Sequence, residues 1–342
     1  MEHYVGLDVS LEETAICVLD RTGKVIWRGR CSSDPDAIAR TVRDRAPFVV
    51  RIGLETGQLS TWLVHSLRRL DLPVVCLDTR HAKAALSLQV NKTDDNDAHG
   101  LAQIVRTGWY REVAVKSMDS QAVRVLLMAR AQLISQRQAT ANQIRGLLKT
   151  FGLRVGQAGG SRFAVRVREL VADHSVLVAI IEPLLTVWQT VREQVVELDR
   201  QVRMRVREDA AARRLMTAPG VGAVVALAYT AVIDDPARFA KSASVGAYLG
   251  LTPRRYQSGE VDCAGHISKC GDGLLRSYLF EAANVVLSRI TRPSGLKTWG
   301  QALAQRIGAR KAKVAVARKL AVVLHRMWRD NTEFRWEVQP AR

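Results

Sequence analysis

No stretch of the chain approaches the ~20 apolar residues that a membrane-spanning helix needs. The longest apolar run, Ala223 to Ile233, reads as a buried core helix, so no membrane partner is expected. The N-terminal Met-Glu-His-Tyr leads directly into a predicted strand with no basic segment before an apolar core. A signal peptide is therefore not expected, and a cytoplasmic location is. Cysteine is scarce: five residues, an odd number without framework spacing, fit a reducing compartment rather than a disulfide scaffold. Cys263, His266 and Cys270 would supply only three ligands to a zinc ion, with no convincing fourth. Internal repeats and low-complexity tracts are absent, and no heptad pattern is sustained over the whole chain. Acid is in short supply too, with 33 Asp and Glu against 51 Lys and Arg, a formal net charge of +18. That excess is the footprint of a polyanionic partner, usually nucleic acid. The 342 residues have room for two or three domains.

Four of the acids carry the sequence's chemistry: Asp8, Glu55, Asp94 and Asp97. Asp8 and Glu55 follow the apolar, β-branched stretches Tyr4 to Leu7 and Ile52 to Leu54, which read as short buried strands. A carboxylate at the end of a buried strand is costly unless a cation pairs with it. Asp94 and Asp97 lie three apart at the start of a predicted helix reaching Arg106, on one face and beside the positive end of its dipole. Singly, each acid reads as a surface residue at a strand end or a helix cap. As a set, hard oxygen ligands from separate elements suit Mg²⁺ or Mn²⁺. Two such ions about 4 Å apart could clamp both oxygens of an in-line phosphodiester cleavage.

Residues 1 to 112 read as an α/β domain. Tyr4 to Asp8, Thr14 to Asp20 and Val25 to Arg30 predict an antiparallel meander, with a hairpin turn at Arg21-Thr-Gly23-Lys. Ser33-Asp-Pro35 opens a helix, Val49 to Glu55 is a fourth strand, Gln58 to Leu70 an amphipathic helix and Val74 to Leu77 a fifth strand. This is the order of a ribonuclease H-like sheet, with Asp8 on the first, central strand and Glu55 ending the fourth. Residues 113 to 215 read as long helices, Gln121 to Lys149 and about Ser175 to Leu215, separated by a glycine-rich break, with Pro183 marking a start or a kink. Apolar residues recurring at threes and fours predict a coiled-coil spacer or a dimer contact, with an ordinary helical domain as the alternative.

Residues 216 to 330 form a mainly helical C-terminal domain, followed by a loosely held tail at 331 to 342. Pro219-Gly220-Val-Gly222 is a turn of the helix-hairpin-helix kind, whose Gly220 and Gly222 would offer backbone N–H groups to a phosphate; the alternative is a plain tight turn. Ser258 lies in a polar loop before a glycine, with Arg254, Arg255, Lys269 and Arg276 as nearby cations. Its hydroxyl could attack a phosphodiester if those cations neutralise the developing charge, although a Ser-Gly pair is usually just a turn. Ala309 to Arg329 is a basic amphipathic helix suited to a phosphate backbone.

Jointly, these stretches resemble the IS110/IS1111 family of DEDD transposases over nearly the whole chain. Gly6-Leu-Asp8-Val-Ser and Glu55-Thr-Gly57 resemble its first two acidic motifs, and Lys92-Thr-Asp94-Asp-Asn-Asp97-Ala its paired-aspartate motif. Pro219 to Gly222, Tyr248 to Pro253, Gln257-Ser258-Gly259, Ile267-Ser-Lys269 and Leu275-Arg276 are similar to its C-terminal signature. The resemblance implies a RuvC-like domain, a helical coiled-coil region and a C-terminal transposase domain. It implies a two-part active site: four carboxylates with Mg²⁺, and a serine, by position Ser258, that links covalently to DNA. It also implies donor and target DNA, a structured bridge RNA that guides the choice of site, and a homodimer or homotetramer. Ser258 could act with the acids of its own chain or with a partner's, and the long chain separation between them favours a partner's. The alternatives are a metal-only endonuclease of the Holliday-junction-resolvase kind, which would not need Ser258, and a non-catalytic nucleic-acid-binding protein.

Overall fold

A computed structural model describes residues 1–87, 91–259 and 261–336 of the chain. Glu260 and the end of the expected tail, 337–342, lie outside the described residues. The chain divides into two compact units, residues 1–118 and 119–342.

In the first unit the elements run β1 (His3–Val9), β2 (Glu13–Leu19), β3 (Val25–Ser32), α1 (Pro35–Arg45), β4 (Val49–Glu55), α2 (Ser60–Arg69), β5 (Val74–Leu77), α3 (Thr79–Leu86) and α4 (Asp94–Thr107). The strands form one mixed sheet in the order β3-β2-β1-β4-β5. β1, β2 and β3 pair antiparallel, while β4 joins β1, and β5 joins β4, in parallel. β1 is central and covered on both faces, which explains its near-continuous apolar run. Val5 and Leu7 pack toward Ile38 and Val42 of α1 and Leu63 and Leu67 of α2. Tyr4 lies in the cluster on the opposite face, with Leu101, Ile104 and Val105 of α4. α1 starts one residue later than its serine suggests: Asp34, not Ser33, is the cap and accepts from the N–H groups of Asp36 and Ala37. Ser33 is buried instead, with its hydroxyl 2.8 Å from that of Thr14.

In the second unit the order is α5 (Met118–Lys149), α6 (Arg162–Val171), α7 (Ser175–Glu208), α8 (Ala210–Leu215), α9 (Ala223–Ile233), α10 (Ser244–Tyr248), β6 (Pro253–Ser258), β7 (Val261–Ile267), α11 (Gly273–Ser288), α12 (Gly295–Ile307) and α13 (Ala309–Arg329). α5 and α7 run antiparallel, tied by Arg130 to Asp199 at 2.6 Å and Arg205 to Asp119 at 3.4 Å. Each is roughly 50 Å long at 1.5 Å per residue. α7 continues through Pro183, which sits on its exposed side. It stops at Glu208, because Asp209 turns out of the helix and caps α8 through the Ala212 N–H. α7 is long and apolar enough, by length and composition alone, to cross a membrane. This differs from the expectation that no stretch of the chain is apolar enough to span: between Ser175 and Val191 only Glu182 is charged. Its Leu177, Ile181, Leu185 and Trp188 pack on Phe163 and Val167 of α6 and on Ile144 and Leu148 of α5.

α9 is apolar on every side and lies in the core of this unit. Its buried Tyr229 donates to the Ala321 carbonyl of α13 at 2.6 Å. Gly220, in the turn before α9, has φ +75°, and a side chain there would meet the Ala282 carbonyl of α11. The expected loop around Ser258 is instead a two-stranded hairpin, β6 with β7, and every β6 residue is exposed. The chain after α13 is anchored as far as it is described: the Phe334 N–H donates to the Thr217 hydroxyl at 2.9 Å, and Arg292 lies over the Trp336 ring.

Candidate active site

β1 and β4 each carry a Gly-Leu-acid triplet near the C-terminal end, Gly6 to Asp8 and Gly53 to Glu55. Gly6 pairs with Gly53 and Leu7 with Leu54, so Asp8 and Glu55 come next on adjacent parallel strands. Residues two apart on a strand share a face, so each acid lies on the face of its glycine. That is the face on which α4 lies. A methyl group at Gly6 would overlap the Ala98 carbonyl and the Ala102 N–H of α4, and one at Gly53 would overlap a Val105 methyl. The two glycines make a flat strip on which α4 lies close. Thr93 caps α4, its hydroxyl accepting from the Asn96 N–H at 3.2 Å. Asp94 and Asp97 therefore stand one behind the other in the first turn. The carboxyl ends of β1 and β4 open into a cleft of about 380 Å³ that includes Asp8 and Glu55.

Asp8 and Glu55 lie within reach of the charges of the other acids. Burial lifts the Asp8 carboxyl above the usual carboxylate range, and the charges of Asp97 and Asp94 add to the lift. Glu55 is raised first by burial, then by Asp8 and Asp97, while Lys92 and the Thr79 hydroxyl oppose the shift. Two cations of the chain enter this group. Arg30 of β3 reaches Asp94 at 3.5 Å and Asp95 at 3.4 Å, and Lys92 approaches Asp97 at 3.9 Å. Among the described residues, no three acidic, cysteine or histidine side chains close to the spacing of a formed metal site. The acids are near enough to repel one another, but not at the distances at which three oxygens share one ion.

Ser258 belongs to the other unit. It ends β6 and pairs with Val261, beside Gly259 at φ +56°. By strand alternation Tyr256 shares its face and Arg255 lies on the opposite one, while Arg254 sits at an irregularity of the ladder and donates through Nη2 to the Ser268 carbonyl at 3.4 Å. There Arg255 grips Asp262 through Nε at 2.7 Å and Nη2 at 2.5 Å. Lys269 is exposed, with its backbone at φ +55°. Arg276 is turned inward: its Nη1 donates to the carbonyls of Leu249 at 3.1 Å and Cys270 at 3.0 Å. Gly222 is exposed and leads α9 without a side-chain cap, whereas Gly220 is the close-packed member of that turn.

Residues 5–152 match the DEDD transposase family of the IS110 type, and residues 212–299 match the transposase family IS116/IS110/IS902. The chain is 28% identical over 328 residues to the "Transposase for insertion sequence element IS1111A" of Coxiella burnetii, covering 94% of this chain and 88% of the relative. It is 28% identical over 337 residues to the "Probable family 20 transposase" of Pseudomonas aeruginosa, covering 97% and 98%. A "Putative transposase y4pF/y4sB" of Sinorhizobium fredii is 30% identical over 250 residues, covering 71% and 64%. The chain belongs to the IS110 transposase family. Its enzymatic class is DNA cleavage and strand transfer.

In this transposase, sequence reasoning missed the residues that arrange the acids. The signal was present as the repeated Gly-Leu-acid triplet at Gly6 to Asp8 and Gly53 to Glu55. Arg30 left no such signal, because its partners Asp94 and Asp95 lie more than sixty positions away. The Arg30 contact also gives Asp95, the extra acid of the run, a place: it helps hold the first turn of α4 against β3.

Proposed function

We propose that this transposase of an insertion sequence cuts and rejoins donor and target DNA with a two-part site. Asp8, Glu55, Asp94 and Asp97 form one part and Ser258 the other. The observation that carries the reading is the alignment of Asp8 and Glu55 on neighbouring parallel strands under the N-terminus of α4. Their all-oxygen donor set, with Asp8 and Glu55 raised first by burial and then by the neighbouring acids, suits a hard divalent cation. Asp8, Glu55, Asp94 and Asp97 would hold Mg²⁺ or Mn²⁺, which would supply positive charge to the phosphate as negative charge builds on its oxygens.

The Ser258 hydroxyl attacks phosphorus, a P–O bond to serine forms, and the P–O bond to the leaving deoxyribose oxygen breaks. The serine proton passes to solvent and the leaving oxygen takes one up, so protons balance. Arg254, four residues before Ser258 on β6, supplies positive charge against what develops there. The phosphoserine ester keeps the bond energy, and a deoxyribose hydroxyl of the other DNA restores the strand by the reverse step. The exposed N–H groups at Gly222 and the Arg255 and Lys269 side chains contribute to the phosphate-binding surface, with Gly220 and Arg276 shaping the loops that present it. A bridge RNA selects the sites by base pairing, consistent with the net charge of +18 and a basic surface that reads backbone shape. The working form is a dimer or tetramer, joined through the coiled-coil region of α5 and α7, in which one chain's Ser258 meets a partner's acids.

The test is recombination between a donor and a target plasmid. Asp8→Ala and Ser258→Ala should each abolish it. Wild-type recombination by Ser258→Ala would leave the metal-only nuclease reading in its place, and wild-type recombination by Asp8→Ala would remove the acids from the chemistry.

A further inference from the structure

The second unit holds a cleft of about 930 Å³ between the β7 strand and the α12–α13 pair. Lys269, Arg310, Lys311, Arg318 and Lys319 line it, and no acidic residue does. Among the described residues, none of these five cations is in a salt bridge. The floor is apolar, formed by side chains such as Leu251, Ile267 and Val322, and Trp299 of α12 stands in the wall. Lys319 holds the indole, with its Nζ 4.3 Å from the ring centroid. The Arg318 stem lies across α10 in the space left by Gly246, within 3.0 Å of where a methyl would be. Five uncompensated cations around an apolar floor require a ligand that is anionic along its length and apolar between its charges.

A DNA duplex is anionic but hides the faces of its bases, so an apolar floor and an indole gain nothing from it. An unpaired strand offers both phosphates and base faces, and base–aromatic stacking tolerates any sequence. The position of the cleft favours DNA. Pro253, which begins β6, lines it, and Ser258 ends the same strand roughly 17 Å away at strand rise. With Ser258 as the attacking group, the strand it cuts passes within a few nucleotides of the cleft.

We infer that this cleft, with Trp299 as its stacking platform, seats the unpaired DNA strand that leads away from the scissile phosphate. The assignment of DNA rests on Ser258 being the attacking group; the binding site itself does not, and its test involves no cleavage. The measurement is fluorescence anisotropy of the full-length protein with a labelled dT12 strand, a duplex of the same length and a U12 RNA. The wild type should bind dT12 more tightly than the duplex. Trp299→Ala should weaken dT12 by about fivefold or more and leave the duplex unchanged, while Trp299→Phe retains most of the affinity. If Trp299→Ala does not fold by circular dichroism, the exposed double variant Arg310→Ala/Lys311→Ala decides. It should weaken dT12 and lower the salt slope by about 0.7 for each cation removed. Unchanged dT12 binding in these variants, or equal loss for strand and duplex, overturns the inference. U12 binding tenfold tighter than dT12 overturns it in favour of an RNA seat. Failure here leaves the serine reading standing, because that reading is judged by covalent adducts rather than by binding.

Discussion

Gly6 of β1 lies directly against Ala98 of α4, so closely that the methyl group of an alanine at position 6 would overlap the Ala98 carbonyl. This contact sets the height of α4 above the sheet, and with it the distance from Asp94 and Asp97 to Asp8. Gly6→Ala should therefore push α4 outward, cost about 1–3 kcal/mol in a denaturant titration, and reduce strand cleavage more than stability alone explains. Gly53→Ala should cost less, because its methyl would meet the end of the Val105 side chain rather than backbone. Equal costs for the two variants would contradict this account of how α4 is seated.

The acid cluster should limit the stability of the metal-free protein. Asp8 is half-buried and raised, first by burial and then by the charges of Asp97 and Asp94. Asp8→Asn removes that repulsion and should raise the melting temperature in EDTA while abolishing cleavage. Added Mg²⁺ should then raise the melting temperature of the wild type and not of Asp8→Asn, since only a site that binds the folded form stabilises it. A wild type indifferent to Mg²⁺ and Mn²⁺ would count against the four carboxylates as a metal site.

A separate pH dependence comes from His325, buried on α13. Its Nε2 lies 3.0 Å from the Pro236 carbonyl and its Nδ1 2.8 Å from the Ser242 hydroxyl. The neutral ring satisfies both, with Nε2–H donating to the carbonyl and the serine hydroxyl donating to Nδ1. Burial lowers its pKa and the Arg329 charge adds to this, against the Pro236 contact and the Asp330 charge, which raise it. A histidine depressed in the fold binds its proton more readily when unfolded, so its contribution is present at neutral pH and lost as pH falls below about 6.5. Urea midpoints at pH 7.5 and 5.5 should differ in that direction, and His325→Gln should reduce the difference.

The sheet was legible because its signals are local. Alternating and β-branched runs, the turn at Gly23 and the Pro35 start predicted the strands and their order, with Asp8 central and Glu55 ending the fourth strand. The hairpin around Ser258 was not legible. β6 is exposed on both faces, so nothing in Arg254 to Ser258 alternates between apolar and polar, and a polar stretch without periodicity reads as loop. Arg276 could not be judged from sequence either, since an arginine turned onto the Leu249 and Cys270 carbonyls looks the same as one offered to a phosphate. The end of α7 depends on Asp209 preferring to cap α8, where a continuous 3.6-residue pattern suggested one helix to Leu215.

The most direct test incubates the protein with Mg²⁺, donor and target DNA and guide RNA, denatures the mixture, and looks for DNA carried on the protein band. The wild type should give a denaturant-resistant adduct whose DNA is linked at Ser258 by mass spectrometry, with none from Ser258→Ala, from Asp8→Ala or in EDTA. Cleaved DNA without any adduct in the wild type, or an adduct that persists in Ser258→Ala, would contradict a phosphoserine link formed under the control of the carboxylates.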